Sequence, residues 1–267
     1  MIFRFPAAIW RDRELWWRLT EREVLGRYRG SMLGWGWSFL QPLLMLTVYT
    51  FVFSQVFKVR WGNLEHVGPL GFAVNLFAGL IVFNLFAECV TRAPGLVLAN
   101  PNYVKKVIFP LEVLGVVTIG NAVFHAITSL VILVLFELLA FKSLPITYLW
   151  LPLVWLPLVL GTLAITWLLA ATGVFLRDIG QFVGVGVSML MFLSPIFFPI
   201  SAMPLHWRPL LNLNPLAHVI EQTRIVTLLG HPPSSSYLFA GILITLVACE
   251  LSFRGFQKAK RAFADVM

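Results

Sequence analysis

Charge is scarce in this sequence: 12% of its 267 residues are Asp, Glu, Lys or Arg and 59% are hydrophobic, against roughly 25% charged in soluble domains. A soluble enzyme is excluded on that ground. The only aspartates, Asp12, Asp178 and Asp265, are far apart and form no Asp-x-Asp pair. A membrane glycosyltransferase or phosphotransferase needs clustered carboxylates to hold a metal-bound diphosphate or to move protons, so that class is disfavoured. No Gly-Lys dipeptide occurs anywhere, which removes the phosphate-cradling loop of a nucleotide-binding strand-turn-helix. The two cysteines, Cys89 and Cys249, both lie in apolar runs and cannot make a metal site by spacing, so they read as small packing residues. The first 29 residues are Arg-rich and lack an apolar h-region, so no cleavable signal peptide is expected.

Long uncharged runs fill the chain instead. Between Arg29 and Lys58 stand 28 residues without a charge, about 42 Å of helix and enough to cross a bilayer. The first span, 32–57, is therefore expected to serve as its own insertion signal. Gly30, Ser31, Gly34 and Gly36 precede it, where a helix can bend from the membrane surface into the membrane. Five further spans are expected at about 68–90, 113–137, 149–176, 180–198 and 234–253. Pro145, Pro152 and Pro157 crowd the fourth, so its regular helix should begin beyond them. Gly180 and Gly184 in the fifth offer a small-residue packing face. Glu88, Glu137 and Glu250 fall near span ends, and Glu88 stands four residues before Arg92, the spacing of a local ion pair. A proton-coupled carrier would need an acid deep in a span. His125, alone in an apolar run, reads as an ordinary hydrogen-bonding partner within or between helices.

The excess of 20 basic over 12 acidic residues, +8 in net charge, lies between the apolar spans. That pattern orients a membrane protein, and no nucleic-acid partner is expected. With the N-terminus inside, the inner segments hold 15 Lys and Arg and the outer ones 5. Six spans with both termini cytoplasmic follow from that bias.

Three segments outside the spans carry structure of their own. In residues 9–29, Trp10, Trp17, Val24 and Tyr28 share a helical face beside a stripe of Arg11, Arg18, Arg22 and Arg29. Such a helix can rest among anionic headgroups. At 99–110, Asn100 and Pro101 suit a helix start and Pro110 a stop, so a short capped helix carrying Tyr103, Lys105, Lys106, Val107 and Phe109 is expected on the cytoplasmic side as a docking element. From 199 to 233 the chain is apolar yet broken by prolines; Asn214 and Pro215 start a helix with Glu221 and Arg224 at i, i+3, and Gly230 ends it. A partly re-entrant extracytoplasmic hairpin is the expectation there. Within the first span, Trp35, Phe39, Tyr49, Phe53 and Phe57 fall within about 80° at helical period. Such a stripe serves either helix and lipid contact or the face of a path along which sugar rings slide.

The stretches RYRGSMLGWGWSFLQPLLMLTVYTFVFSQVF, NPNYVKKVIFPLEVL, FLRDIGQFVGVGVSMLMFLSPIFFPIS and LNPLAHVIEQTRIVTLLG resemble, in order, blocks of the transmembrane subunits of ABC-2 type exporters, in the branch that moves O-antigen, capsule or teichoic-acid polymers. The resemblance implies an all-α membrane protein of six-span subunits forming a homodimer in the inner membrane. It further implies two copies of a cytoplasmic ATPase, which bind the ATP and Mg, and a lipid-linked polysaccharide as cargo, with no cofactor in this chain. On the same ground residues 101–109 couple to the ATPase and 9–29 lie at the same interface. An ABC-2 exporter of a drug or lipid is the alternative.

Overall fold

The computed structural model describes residues 4–52, 68–104, 109–200, 203–206 and 208–266, and these form helices joined by short connections without strands. Phe53, Phe57, Lys105, Lys106, Val107 and Trp207 lie outside the described residues. The chain opens with α1 (Phe5–Arg11) and α2 (Arg13–Tyr28). One helix was expected over 9–29, but the backbone breaks at Asp12, and the Trp16 indole bridges the break by donating to the Ile9 carbonyl at 3.2 Å. The expected face divides, and the break separates only Trp10 from it, since Trp17, Val24 and Tyr28 all belong to α2. Val24 is buried and Tyr28 half-buried, whereas Trp10 and Trp17 remain 70% and 63% exposed.

Between α2 and α3 (Trp37–Thr50), Gly30 and Gly34 adopt φ of 85° and 47°, a left-handed geometry that L side chains resist. That is the bend the glycine cluster predicts. The central helix is α4 (Gly68–Arg92), buried on every side from residue 71 to 83, as an all-round apolar helix requires. After α5 (Pro101–Val104) come α6 (Val113–Phe141) and α7 (Leu151–Phe175). Pro152 sits in the first turn of α7, where its missing N–H costs nothing, and Pro157 lies inside the helix. The helix thus begins after Pro145 but before Pro152 and Pro157, and not beyond all three. Near Pro157 the Val154 carbonyl accepts from the Tyr237 hydroxyl at 3.0 Å.

The chain ends in α8 (Ile179–Leu193), α9 (Arg208–Leu213), α10 (Pro215–Thr227), α11 (Ser235–Lys260) and α12 (Phe263–Val266). Four segments are long and apolar enough to cross a membrane: Leu70–Gly95, Val113–Phe141, Ile146–Phe175 and Ser235–Lys260. Of the six expected spans, the first is described only in its opening part. The fifth, α8, has 15 residues, about 22 Å of helix against a hydrocarbon core of about 30 Å. Ser194 and Pro195 break it early. Its Gly184 faces open space; the tight contact lies instead at Gly173 of α7, where a Cβ would stand 2.1 Å from the Pro94 carbonyl oxygen.

Candidate functional site: a polar cavity among apolar helices

Along α4 the apolar run is interrupted by Asn84 and Glu88, one turn apart, and Asn84 is exposed where residues 71–83 before it are all buried. On α6, Asn121, His125 and Ser129 repeat every four residues and so share a face. These two faces meet α2 and α3 around a cavity of about 900 Å³, which Ser38, Gln41 and Tyr49 also line. Polar side chains in such helices line an aqueous space because lipid cannot satisfy them.

Charge within the cavity is paired across helices. Arg27 of α2 donates to Glu88 Oε1 at 2.5 Å, and Asn121 donates to the same oxygen at 3.3 Å. His125 Nδ1 lies 3.0 Å from Glu88 Oε2, and its Nε2 lies 3.1 Å from the Tyr28 hydroxyl. A proton on Nδ1 satisfies these two contacts, the ring donating to the carboxylate and accepting from the phenol; Arg27 Nη1, 3.1 Å from the same Nδ1, then donates to Glu88 alone. Burial raises the Tyr28 pKa above the ordinary 10, which keeps that O–H in place. A second pair, Arg92 to Glu23, again joins α4 to α2. The local pair expected for Glu88 is the weakest contact, with Arg92 at 3.9 Å. His125 does bond between helices, as a lone polar residue there should. Among the described residues no group of three His, Cys, Asp or Glu is placed to hold a metal.

The aromatic stripe divides. Tyr49 is half-buried, lines the cavity and meets Phe197 edge-on at 5.8 Å. Trp35 packs its edge on Phe124 at 5.6 Å outside the cavity, and Phe39 lies in an apolar groove with Ile132 and Leu135. The sequence reading missed Arg27, Asn84, Asn121 and Glu23; for Asn121 the four-residue repeat on α6 was the available signal.

At the other end of α4, Asn214 caps α10 by accepting from Leu216 N–H at 3.0 Å, as the Asn-Pro pair predicts, and its amide donates to Ser194 at 2.9 Å. Arg224 of α10 is 3% exposed. Its guanidinium donates to the carbonyls of Asn75 at 3.2 Å, Pro195 at 2.7 Å and Ile196 at 3.1 Å, and to half-exposed Glu221 at 3.1 Å. Burial lowers its pKa to about 10, so it stays charged. Arg224 is thus a tether that pins α10 to the second turn of α4. Glu137, expected at an interface, is 1% exposed and accepts from Tyr148 at 2.6 Å, joining α6 to the entry of α7.

On the opposite face, Asn100 donates its amide to the Leu96 carbonyl at 2.9 Å, closing the preceding turn. The Tyr103 and Phe109 rings stack at 4.2 Å, and Arg22 of α2 donates to the Tyr103 hydroxyl at 3.1 Å. Glu250 of α11, expected at a span end, is buried under α1, where it accepts from the backbone N–H groups of Arg4 at 2.7 Å and Phe5 at 3.2 Å.

The ABC-2 type transporter family matches residues 14–228 of this chain. Over 253 residues, 93% of each chain, it is 26% identical to the O-antigen export system permease protein RfbA of Klebsiella pneumoniae. Over 266 residues, 99% of each, it is 26% identical to the protein of that name from Myxococcus xanthus. It is also 26% identical over 243 residues, 84% of this chain and 86% of the other, to the polysialic acid transport protein KpsM of Escherichia coli.

Proposed function

Because the chain belongs to the ABC-2 type transporter family, we propose that it is the permease subunit of an ATP-driven exporter moving a lipid-linked polysaccharide across the cytoplasmic membrane. One observation carries this reading: three relatives matched along 84% or more of their sequence and of this chain are named for polysaccharide export or transport. In this reading two copies form a homodimer with two cytoplasmic ATPase subunits, which supply ATP and Mg. Six spans place both termini inside, and 199–233 forms an extracytoplasmic, partly re-entrant hairpin tethered by Arg224. Residues 101–109 and α1–α2 take up the ATPase's motion. The cavity then serves as the cytoplasmic entrance to the glycan path, with Tyr49 on its wall; a flat ring lets a sugar slide without the fixed hydrogen bonds that would hold it.

Export of the host's surface polymer in a strain lacking the gene tests this directly. Wild-type protein should restore export, and Tyr49→Ala should lower it several-fold at unchanged protein level and ATPase copurification. Failure of the wild-type protein to copurify with any ATPase would overturn the assignment; normal export by Tyr49→Ala would remove the cavity from the path.

A further inference from the structure

On the face where α1, α5 and the end of α11 meet lies a second groove, about 1200 Å³ in volume. Six cations line it: Arg4 just before α1, Arg11 at its end, and Arg254, Lys258, Lys260 and Arg261 from α11 and the residue after it. Glu112 is the one acid among its lining residues. Three of these cations are spoken for: Arg11 pairs with Asp12 at 3.0 Å, Arg254 with Glu250 at 2.6 Å, and Lys260 with Glu112 at 3.0 Å. Arg4, Lys258 and Arg261 are exposed, and no ion pair of theirs occurs among the described residues.

The C-terminal end of α11 would favour Lys258 and Lys260 through its dipole alone. That explanation does not reach Arg4 and Arg11, which face them from either end of α1. Clustered like charges repel one another, so an arrangement of this kind points to an anion between them.

The surroundings say what kind of anion. Trp10 and Trp17, largely exposed on α1 and α2, are side chains that settle at headgroup depth. The apolar run of α11 ends at Phe253, and Ala7, Ala8, Val104 and Phe109 give the groove an apolar wall beside its cations, with Phe253 and Leu111 buried behind it. Cations at headgroup level above an apolar wall match a phosphodiester with acyl chains attached. We propose that this groove binds an anionic phospholipid of the cytoplasmic leaflet, its phosphate held by Arg4, Lys258 and Arg261 and the start of its chains lying against Ala7, Ala8 and Phe109. This inference rests on the chain's place in the membrane and not on its cargo, and it shares Tyr103, Val104 and Phe109 with the segment proposed to couple to the ATPase, so lipid retention and ATPase copurification are read separately.

The test uses the full-length protein purified from membranes, together with its ATPase where the two copurify. Lipids retained through purification are identified by native mass spectrometry, and binding to phosphatidylcholine vesicles is compared with binding to vesicles containing phosphatidylglycerol. Wild-type protein should retain phosphatidylglycerol in preference to phosphatidylcholine. The triple variant Arg4→Gln, Lys258→Gln, Arg261→Gln should lose that preference by roughly tenfold to a hundredfold, while Arg4→Lys with Arg261→Lys keeps it. The three side chains are exposed, so an unchanged melting temperature confirms that the variant folds. Equal retention of both lipids by wild-type protein, or an unchanged preference in the triple variant, overturns the proposal. Loss of ATPase copurification with lipid retention intact also overturns it, and assigns the groove to an acidic protein surface instead.

Discussion

Arg224 shows how one side chain can hold a helix against the middle of a membrane protein. Three of its acceptors are backbone carbonyls, two of them at the break that ends α8 and one inside α4. Arg224→Leu takes the donor from the Pro195 and Ile196 carbonyls in a site water does not reach, while the Asn75 carbonyl keeps its place in the α4 ladder, and a buried polar group left without its partner costs about 1–3 kcal/mol. We expect a loss of about 3 kcal/mol or more in total, read as a clear fall in melting temperature in detergent. Glu221→Gln should do far less, under about 1 kcal/mol, because that partner's side chain is 34% exposed. Equal shifts in the two variants would refute the tether. The spacing of Glu221 and Arg224 was plain in the sequence, but the main role of the arginine was not. Backbone acceptors at 75, 195 and 196 leave no mark in a pattern of side chains, and folding alone brings them together.

At the scale of elements, two reciprocal ion pairs dock α2 on α4: Glu23 with Arg92 and Arg27 with Glu88. Local spacing assigns Glu88 to Arg92, whereas its closest partner is 61 residues away in sequence. Spacing rules see one helix at a time, so they miss pairs made between helices. The α6 face of Asn121, His125 and Ser129 was legible by the same period that reveals apolar stripes, had polar residues been followed as closely as apolar ones. The docking predicts a charge-swap result. Arg92→Glu places a third acid beside Glu23 and Glu88 and should cost on the order of 1 kcal/mol, since the pair is partly exposed. Adding Glu23→Arg should recover most of that stability and restore export; a double variant no better than the single one would show that the pair does not join the helices.

For the whole molecule, the helices of spanning length, the bend at Gly30 and Gly34 and the cap at Asn214 were all readable, because each depends on residues close in sequence. The extent of α8 was not: an apolar run continues to residue 198, but Ser194 turns extended before Pro195 and the helix ends at Leu193. Orientation rests on a different kind of evidence, the 15 Lys and Arg on one set of segments against 5 on the other, because basic segments near span ends stay on the cytoplasmic side. The four long helices alone leave this open, since α3 and α8 decide how many times the chain crosses. If both cross, the C-terminus lies inside and the segment holding α9 and α10 outside. A reporter fused after Met267 should then be active only in its cytoplasmic form, and one inserted between Pro232 and Pro233 only in its exported form. If α8 instead dips into the membrane and returns, the two reporters exchange sides, because α11 still crosses between them. Alkylation of cysteines placed at those positions, with reagents that do and do not cross the membrane, separates the two arrangements. Labelling of the 232–233 position from inside and of the C-terminus from outside would overturn the six-span topology while leaving the family assignment intact.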